Sequence, residues 1–165
     1  MKIAFLSKFV GISNRGVETY VLELSKRLSK NHQVDILKGE DANSFKFIKN
    51  NYDLVVPTNG RIQSLKVSFG RFFSNYKMFI SGQAGKGIDD IWNIFITCPD
   101  VYIALTDYEM EWAKKWAWST KVVKIPNGVD LDRFTPDGEK IAIDLEKPII
   151  LSVGALEWYK NHDLT

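Results

Sequence analysis

Cysteine is almost missing from this sequence: Cys98 is the single one in 165 residues. One thiol forms no internal disulfide and no cysteine-based zinc site, and beside Pro99 it reads as a small buried hydrophobe. Histidine is nearly as scarce, with only His32 and His162. His32, between the first helix and the second strand, reads as a structural turn residue and His162 as a surface one, so neither builds a catalytic or metal centre. No apolar run approaches the roughly 20 residues of a membrane span. The first such run, Ile3–Leu6, is too short for the core of a secretory signal. These absences predict a reducing, cytoplasmic setting. Two nucleotide motifs are also missing: no Gly-x-Gly-x-x-Gly follows the first apolar run, and there is no Walker A sequence. Acidic residues are absent from Leu54 to Ile88, where Arg61, Lys66, Arg71, Lys77 and Lys86 all fall. That segment is locally basic although the chain as a whole carries only +2.

What is present is a globular composition, 45% hydrophobic and 25% charged. Short apolar runs alternate with longer helical patterns, which predicts an α/β fold with a parallel sheet. Strands are expected at Ile3–Leu6, Gln33–Leu37, Leu54–Pro57, Lys77–Ile80, Val101–Leu105, Val122–Ile125 and Ile149–Val153. Helices are expected at Gly16–Lys30, where Val17, Tyr20, Val21, Leu24 and Leu28 share a face, and at Ser44–Asn50, Ile62–Phe73, Asp89–Phe95 and Asp107–Trp118. On the last of these, Trp112 and Trp116 are expected in the core. Pro126-Asn127-Gly128 and Thr135-Pro136-Asp137-Gly138 break the pattern. The expected organisation is a first domain over 1–131, a linker over 132–147 and the opening of a second domain over 148–165. Asp163 and Leu164 read as the start of a helix that Thr165 leaves unfinished, so the chain is expected to be part of a longer protein.

Three places carry chemistry. The first is the loop Phe9–Glu18 after the opening strand, because ligands of open α/β sheets sit beyond the carboxyl ends of strands. Gly16 there would allow close approach to the backbone and leave N–H groups free for an anion; a simple turn glycine is the alternative. The second is Ile125-Pro126-Asn127-Gly128-Val129-Asp130, followed by Arg133-Phe134-Thr135-Pro136, which by composition is an interdomain connection. The third is Val153-Gly154-Ala155-Leu156 with Lys160-Asn161, a strand, turn and helix start with a cation that could meet a phosphate or simply face solvent.

In this order and separation the three resemble the family-4 group of retaining glycosyltransferases, which have the GT-B fold of two facing Rossmann-like domains. Ile125–Asp130 with Arg133–Pro136 is the most specific match. Arg15-Gly16-Val17-Glu18 resembles that family's glycine-pair loop, and Ile149–Asn161 the opening of its donor domain. The resemblance implies a Rossmann-like three-layer domain, the acceptor-side half of an enzyme that moves a hexose from a nucleotide sugar to a glycan or lipid-linked acceptor with retention. It implies donor contacts at Gly16, by close backbone approach from the facing domain, and at Lys160. It also implies a sugar or acceptor contact at Gln83, and a hinge shaped by Asn127 and Gly128. The nucleotide sugar is substrate; no metal, cofactor or nucleic acid is expected.

Several residues depart from the family. Arg15 replaces the first glycine of the pair, Ala155 stands where the family has a diphosphate-binding arginine, and Gln83 stands where many members have a histidine. Glutamine can hydrogen-bond a sugar but cannot titrate. The paired glutamates that hold the donor sugar would fall beyond Thr165, so this chain alone is expected to be inactive. Basic and aromatic residues mixed over 61–73 lead to an expected contact with an anionic membrane at its inner face, against the plainer reading of a core helix with solvated cations. A non-catalytic acceptor- or partner-binding module and a sugar-nucleotide epimerase of the same architecture remain the alternatives.

Overall fold

The computed structural model describes residues 1–13, 15–83, 85–139, 142 and 149–154. Its first strand, β1 (Lys2–Leu6), is buried along Ile3, Ala4, Phe5 and Leu6. Continuous burial marks a strand covered on both faces. The faces separate by alternation. Ile3 and Phe5 pack with Val21, Leu54 and Val56, whereas Ala4 and Leu6 join a cluster containing Val55, Val67, Met78 and Tyr102. Five more strands follow: β2 (Gln33–Leu37), β3 (Leu54–Pro57), β4 (Lys77–Ser81), β5 (Val101–Ala104) and β6 (Lys121–Lys124). All pair parallel in the order β2-β1-β3-β4-β5-β6.

Helix α1 (Gly16–Leu28) sends Tyr20, Val21, Leu24 and Leu28 into the first cluster. Phe47 of α2 (Lys46–Lys49), Val67 of α3 (Gly60–Gly70) and Ala113 of α5 (Asp107–Lys114) enter the second. A sheet with helices on both faces is the three-layer, Rossmann-like arrangement expected from the alternation of runs. Among the described residues no helix is long and apolar enough to cross a membrane.

Several expected elements change in detail. The short helix expected at Ser44–Asn50 is α2, and a 3-10 turn, Gly39–Asn43, precedes it. The one expected at Asp89–Phe95 is α4 (Ile88–Ile91) running into a π turn, Trp92–Ile96. Helix α3 stops at Gly70, so Phe72 and Phe73 lie in the turn after it. Helix α5 stops at Lys114, because the chain must turn to reach β6 at Lys121. That turn sends Ala117 to the core and leaves Trp116 exposed, against the expectation for Trp116; Trp112 stays partly buried against the core.

Cys98 also differs from expectation. It is half-buried with φ at +42°, and its Sγ receives the Trp118 indole N–H at 3.1 Å. Ile149–Val153 form no strand: they are exposed and lack regular structure. An apolar run becomes a strand only where a neighbour supplies a ladder.

One compact unit spans Met1–Asn127 and a second Gly128–Thr165. In the second, Asp130 Oδ1 accepts the N–H groups of Asp132 at 3.2 Å and Arg133 at 3.3 Å, which closes a turn.

Candidate functional site

The strand order reverses between β1 and β3: the chain leaves β1 for β2 on one side, then returns to β3 on the other. A crevice opens at such a reversal because the loops leaving the two strands diverge. Next to it, a cleft of about 260 Å³ lies over the carboxyl ends of β3 and β4. Val17, Pro57, Thr58, Asn59, Ser81 and Gln83 line it, with Asp89, Asp90 and Asn93 on its far side. No Lys or Arg is among the lining residues.

Its walls are held by buried amides. Gln63 is 1% exposed, and its Oε1 accepts the N–H of Thr58 at 2.8 Å and of Asn59 at 2.9 Å. Its Nε2 donates to the Ala42 carbonyl at 3.0 Å. Asn59 Oδ1 accepts the Lys8 N–H at 2.6 Å, tying the loop after β3 to the loop after β1. Gly60 begins α3 at φ +75°, a left-handed conformation that suits glycine. Tyr20 lines a smaller pocket that shares Val17, Ser81 and Gln83 with the cleft, and burial pushes its phenol up even though the Ser81 hydrogen bond opposes the shift.

Gln83 and Asn127, assigned separately in the sequence, meet here. Gln83 Nε2 donates to Asn127 Oδ1 at 3.2 Å, and Asn127 Nδ2 returns a bond to Gln83 Oε1 at 3.2 Å. Gln83 Nε2 also donates to Ser81 Oγ at 2.9 Å. The loop after β4 is therefore fastened to the residue at which the first compact unit ends. Gly16 begins α1 next to Val17 of the cleft wall, and a Cβ built on it meets nothing within 4 Å. Gly128 opens the second unit. Lys160 lies outside the described residues, as do Ala155 and His162.

Sequence reasoning missed the polar cluster below Gly82. A Cβ on Gly82 would lie 2.0 Å from Glu109 Oε1 and 2.2 Å from the Tyr102 hydroxyl. The backbone therefore rests directly on these groups. Tyr102 is fully buried on β5, and its hydroxyl is 3.0 Å from both Asp90 Oδ1 and Glu109 Oε1. Glu109 Oε2 accepts the Leu105 N–H at 2.8 Å, while Thr106 Oγ1 caps α5 by accepting the Glu109 N–H at 3.1 Å. The Thr106-x-x-Glu109 spacing is a capping-box pattern and was readable. The meeting of Asp90 with Tyr102 was not.

Unpaired oxygens gather at this end of the sheet: Ser7 Oγ, Glu18 Oε2 and Asp90 Oδ2 are buried and have no hydrogen-bond partner among the described residues. No group of three metal-ligating side chains occurs among the described residues.

No family model, curated protein or solved structure matches the chain. The functional reading therefore rests on the resemblance in the motifs and on the chemistry of this cleft.

Proposed function

We propose that this chain is the acceptor-side part of a retaining hexosyltransferase that uses a nucleotide-sugar donor and a glycan or lipid-linked acceptor. The observation that supports it most is the reciprocal Gln83–Asn127 amide pair at the rim of the cleft. It joins the loop where the family places its sugar-facing residue to the motif in which the resemblance is most specific. The polar groups of the cleft wall are amides, hydroxyls and two carboxylates set among apolar ones, suited to a neutral polyol rather than to an anion. Gln83 would orient a sugar hydroxyl without taking its proton. Catalysis would then rest on electrostatic stabilisation of the leaving diphosphate and of an oxocarbenium-like sugar. Lys160 is the cation proposed for the diphosphate, and the open space over Gly16 is proposed for close approach to the backbone.

The test is incorporation of radiolabelled hexose from UDP-, GDP- and ADP-sugars into glycan and lipid-linked acceptors by a protein joining this domain to a donor-binding half. Transfer with retained anomeric configuration is expected. No incorporation from any donor would sink the reading.

A second surface supports a lipid-linked acceptor. Phe45, Phe69, Phe72 and Phe73 are all exposed and form a ridge, with the Phe69 ring 5.3 Å from Phe73 and 6.0 Å from Phe72. Lys66 Nζ lies 5.8 Å from the Phe45 ring and has no carboxylate partner among the described residues. Arg61 and Arg71 contribute less free charge than the sequence suggests, since Arg61 pairs with Asp89 and Arg71 with Asp100. The proposed occupant is an anionic bilayer, reached by aromatic insertion with Lys66 on the headgroups.

A further inference from the structure

Tyr102 has one phenolic proton and two carboxylate neighbours, each at 3.0 Å. It can donate to only one of them. Glu109 is the more fully bonded of the two. Its second oxygen already accepts the Leu105 N–H, and it sits in the first turn of α5.

Asp90 is in the opposite situation. It is 3% exposed and lines the cleft, yet its Oδ2 has no hydrogen-bond partner among the described residues. Burial pushes its carboxyl up to about 6; Glu109 and Asp89 add to the rise, and the Tyr102 hydrogen bond opposes it. From α3 the facing charge is Arg61, which is engaged by Asp89. A buried carboxylate oxygen without a donor costs stability. Such groups concentrate where a ligand supplies the missing donor.

We propose that Asp90 Oδ2 accepts a hydroxyl of a hexopyranoside bound in the cleft over the carboxyl ends of β3 and β4. The cleft selects the ligand class by what lines it. Thr58, Asn59, Ser81, Gln83 and Asn93 offer neutral donors and acceptors, while two aspartates and the lack of any lining Lys or Arg disfavour a phosphate or carboxylate. Its volume, about 260 Å³, lies just below the range that holds drug-sized ligands and suits one sugar ring. The site deepens the transfer reading by naming the group that holds the acceptor hydroxyl, and it rests on that reading only for calling the sugar an acceptor. Asp90 is a positioning residue here: ionised, it makes a charge-assisted bond to the hydroxyl, and protonated it makes a weaker one.

The experiment is a heteronuclear NMR titration of the 165-residue chain with methyl glucoside, galactoside and mannoside. It is run at about pH 5 and about pH 7.5, either side of the Asp90 titration. At least one glycoside should shift the amides of Thr58, Ser81 and Gln83, with a dissociation constant about tenfold lower at the higher pH. Asp90→Asn should lose that gain and bind at both pH values as weakly as the native chain does at the lower one.

The variant should also melt no lower than the native chain at the higher pH. The raised folded-state pKa means that the ionised carboxylate costs stability as pH rises from the ordinary 3.8 through about 6, and asparagine removes that cost. Binding that is independent of pH, native-like binding by Asp90→Asn, no shift with any glycoside, or a preference for methylammonium over the glycosides would each overturn the proposal. No donor is present in this experiment, so its failure leaves the transfer reading to the radiolabel assay.

Discussion

Gly16, at the start of α1, and Gly82, directly after β4, face opposite surroundings. Space over Gly16 is open, whereas Gly82 lies on the Tyr102 hydroxyl and the Glu109 carboxylate. A methyl group at Gly82 would have to displace both oxygens and break the hydrogen bonds that leave Tyr102 and Glu109 satisfied. Gly82→Ala should therefore destabilise by about 1–3 kcal/mol, read as a lower midpoint in urea unfolding. Gly16→Val should leave the melting temperature within a few degrees, because nothing in the fold is displaced. In an enzyme assembled from both halves it should cut turnover strongly, as the side chain fills the space proposed for a ligand at the backbone. Equal loss of stability and turnover would make Gly16 only a turn residue. A native midpoint for Gly82→Ala would show that the cluster below it yields freely.

Among the elements, α3 and the turn after it do two jobs. Val67 and Gln63 bury inward, where Gln63 holds the cleft loop. Phe69, Phe72 and Phe73 face out, with Phe72 83% exposed. Fully burying a large apolar side chain is worth about 1.5–3 kcal/mol, so loss of two phenylalanines should reduce membrane partitioning by at least about tenfold. Co-sedimentation with anionic liposomes should be clear for the native chain at low salt, weaker at high salt and largely lost in Phe72→Ser/Phe73→Ser. Absent or salt-insensitive binding by the native chain would count against the surface. The expectation of a basic helix came from the run without acids between Leu54 and Ile88. The structure reduces that charge by bringing in Asp89 and Asp100 from just outside the run. Asp100 anchors this junction: burial opposes its ionisation, but the Met78 N–H, Lys77 and Arg71 together hold its carboxyl below the usual range.

For the whole molecule, donor binding should be weak. The cleft in the first unit has no lining cation, and Lys160 is the one diphosphate contact that the resemblance carries over, since Ala155 replaces the arginine. One exposed charge pair contributes about 0–1 kcal/mol, whereas micromolar affinity needs about 8 kcal/mol. Calorimetry of the 165-residue chain with UDP-, GDP- and ADP-sugars should show no binding tighter than about millimolar. Micromolar binding would place a donor site on the chain that its motifs do not predict.

The amino-acid sequence by itself determined the parallel α/β layering, because runs such as Ile3–Leu6 and Leu54–Pro57 can be buried on both faces only between helices. It also located Gly16, Gln83 and Asn127 at carboxyl ends of strands, since glycine, amide and proline-stopped turns are local signals. Only the tertiary structure decided that Gln83 and Asn127 bond to each other across 44 positions, and that Asp90, Tyr102 and Glu109 meet beneath Gly82. Those three stand on a short helix, a central strand and a capped helix, and each looks ordinary in its own segment. It likewise decided that Ile149–Val153, apolar enough for a strand, takes no regular structure. Periodicity reports which face of an element is apolar; which groups meet, and whether a strand finds an edge to bond, depends on strand order, and that is a property of the folded sheet.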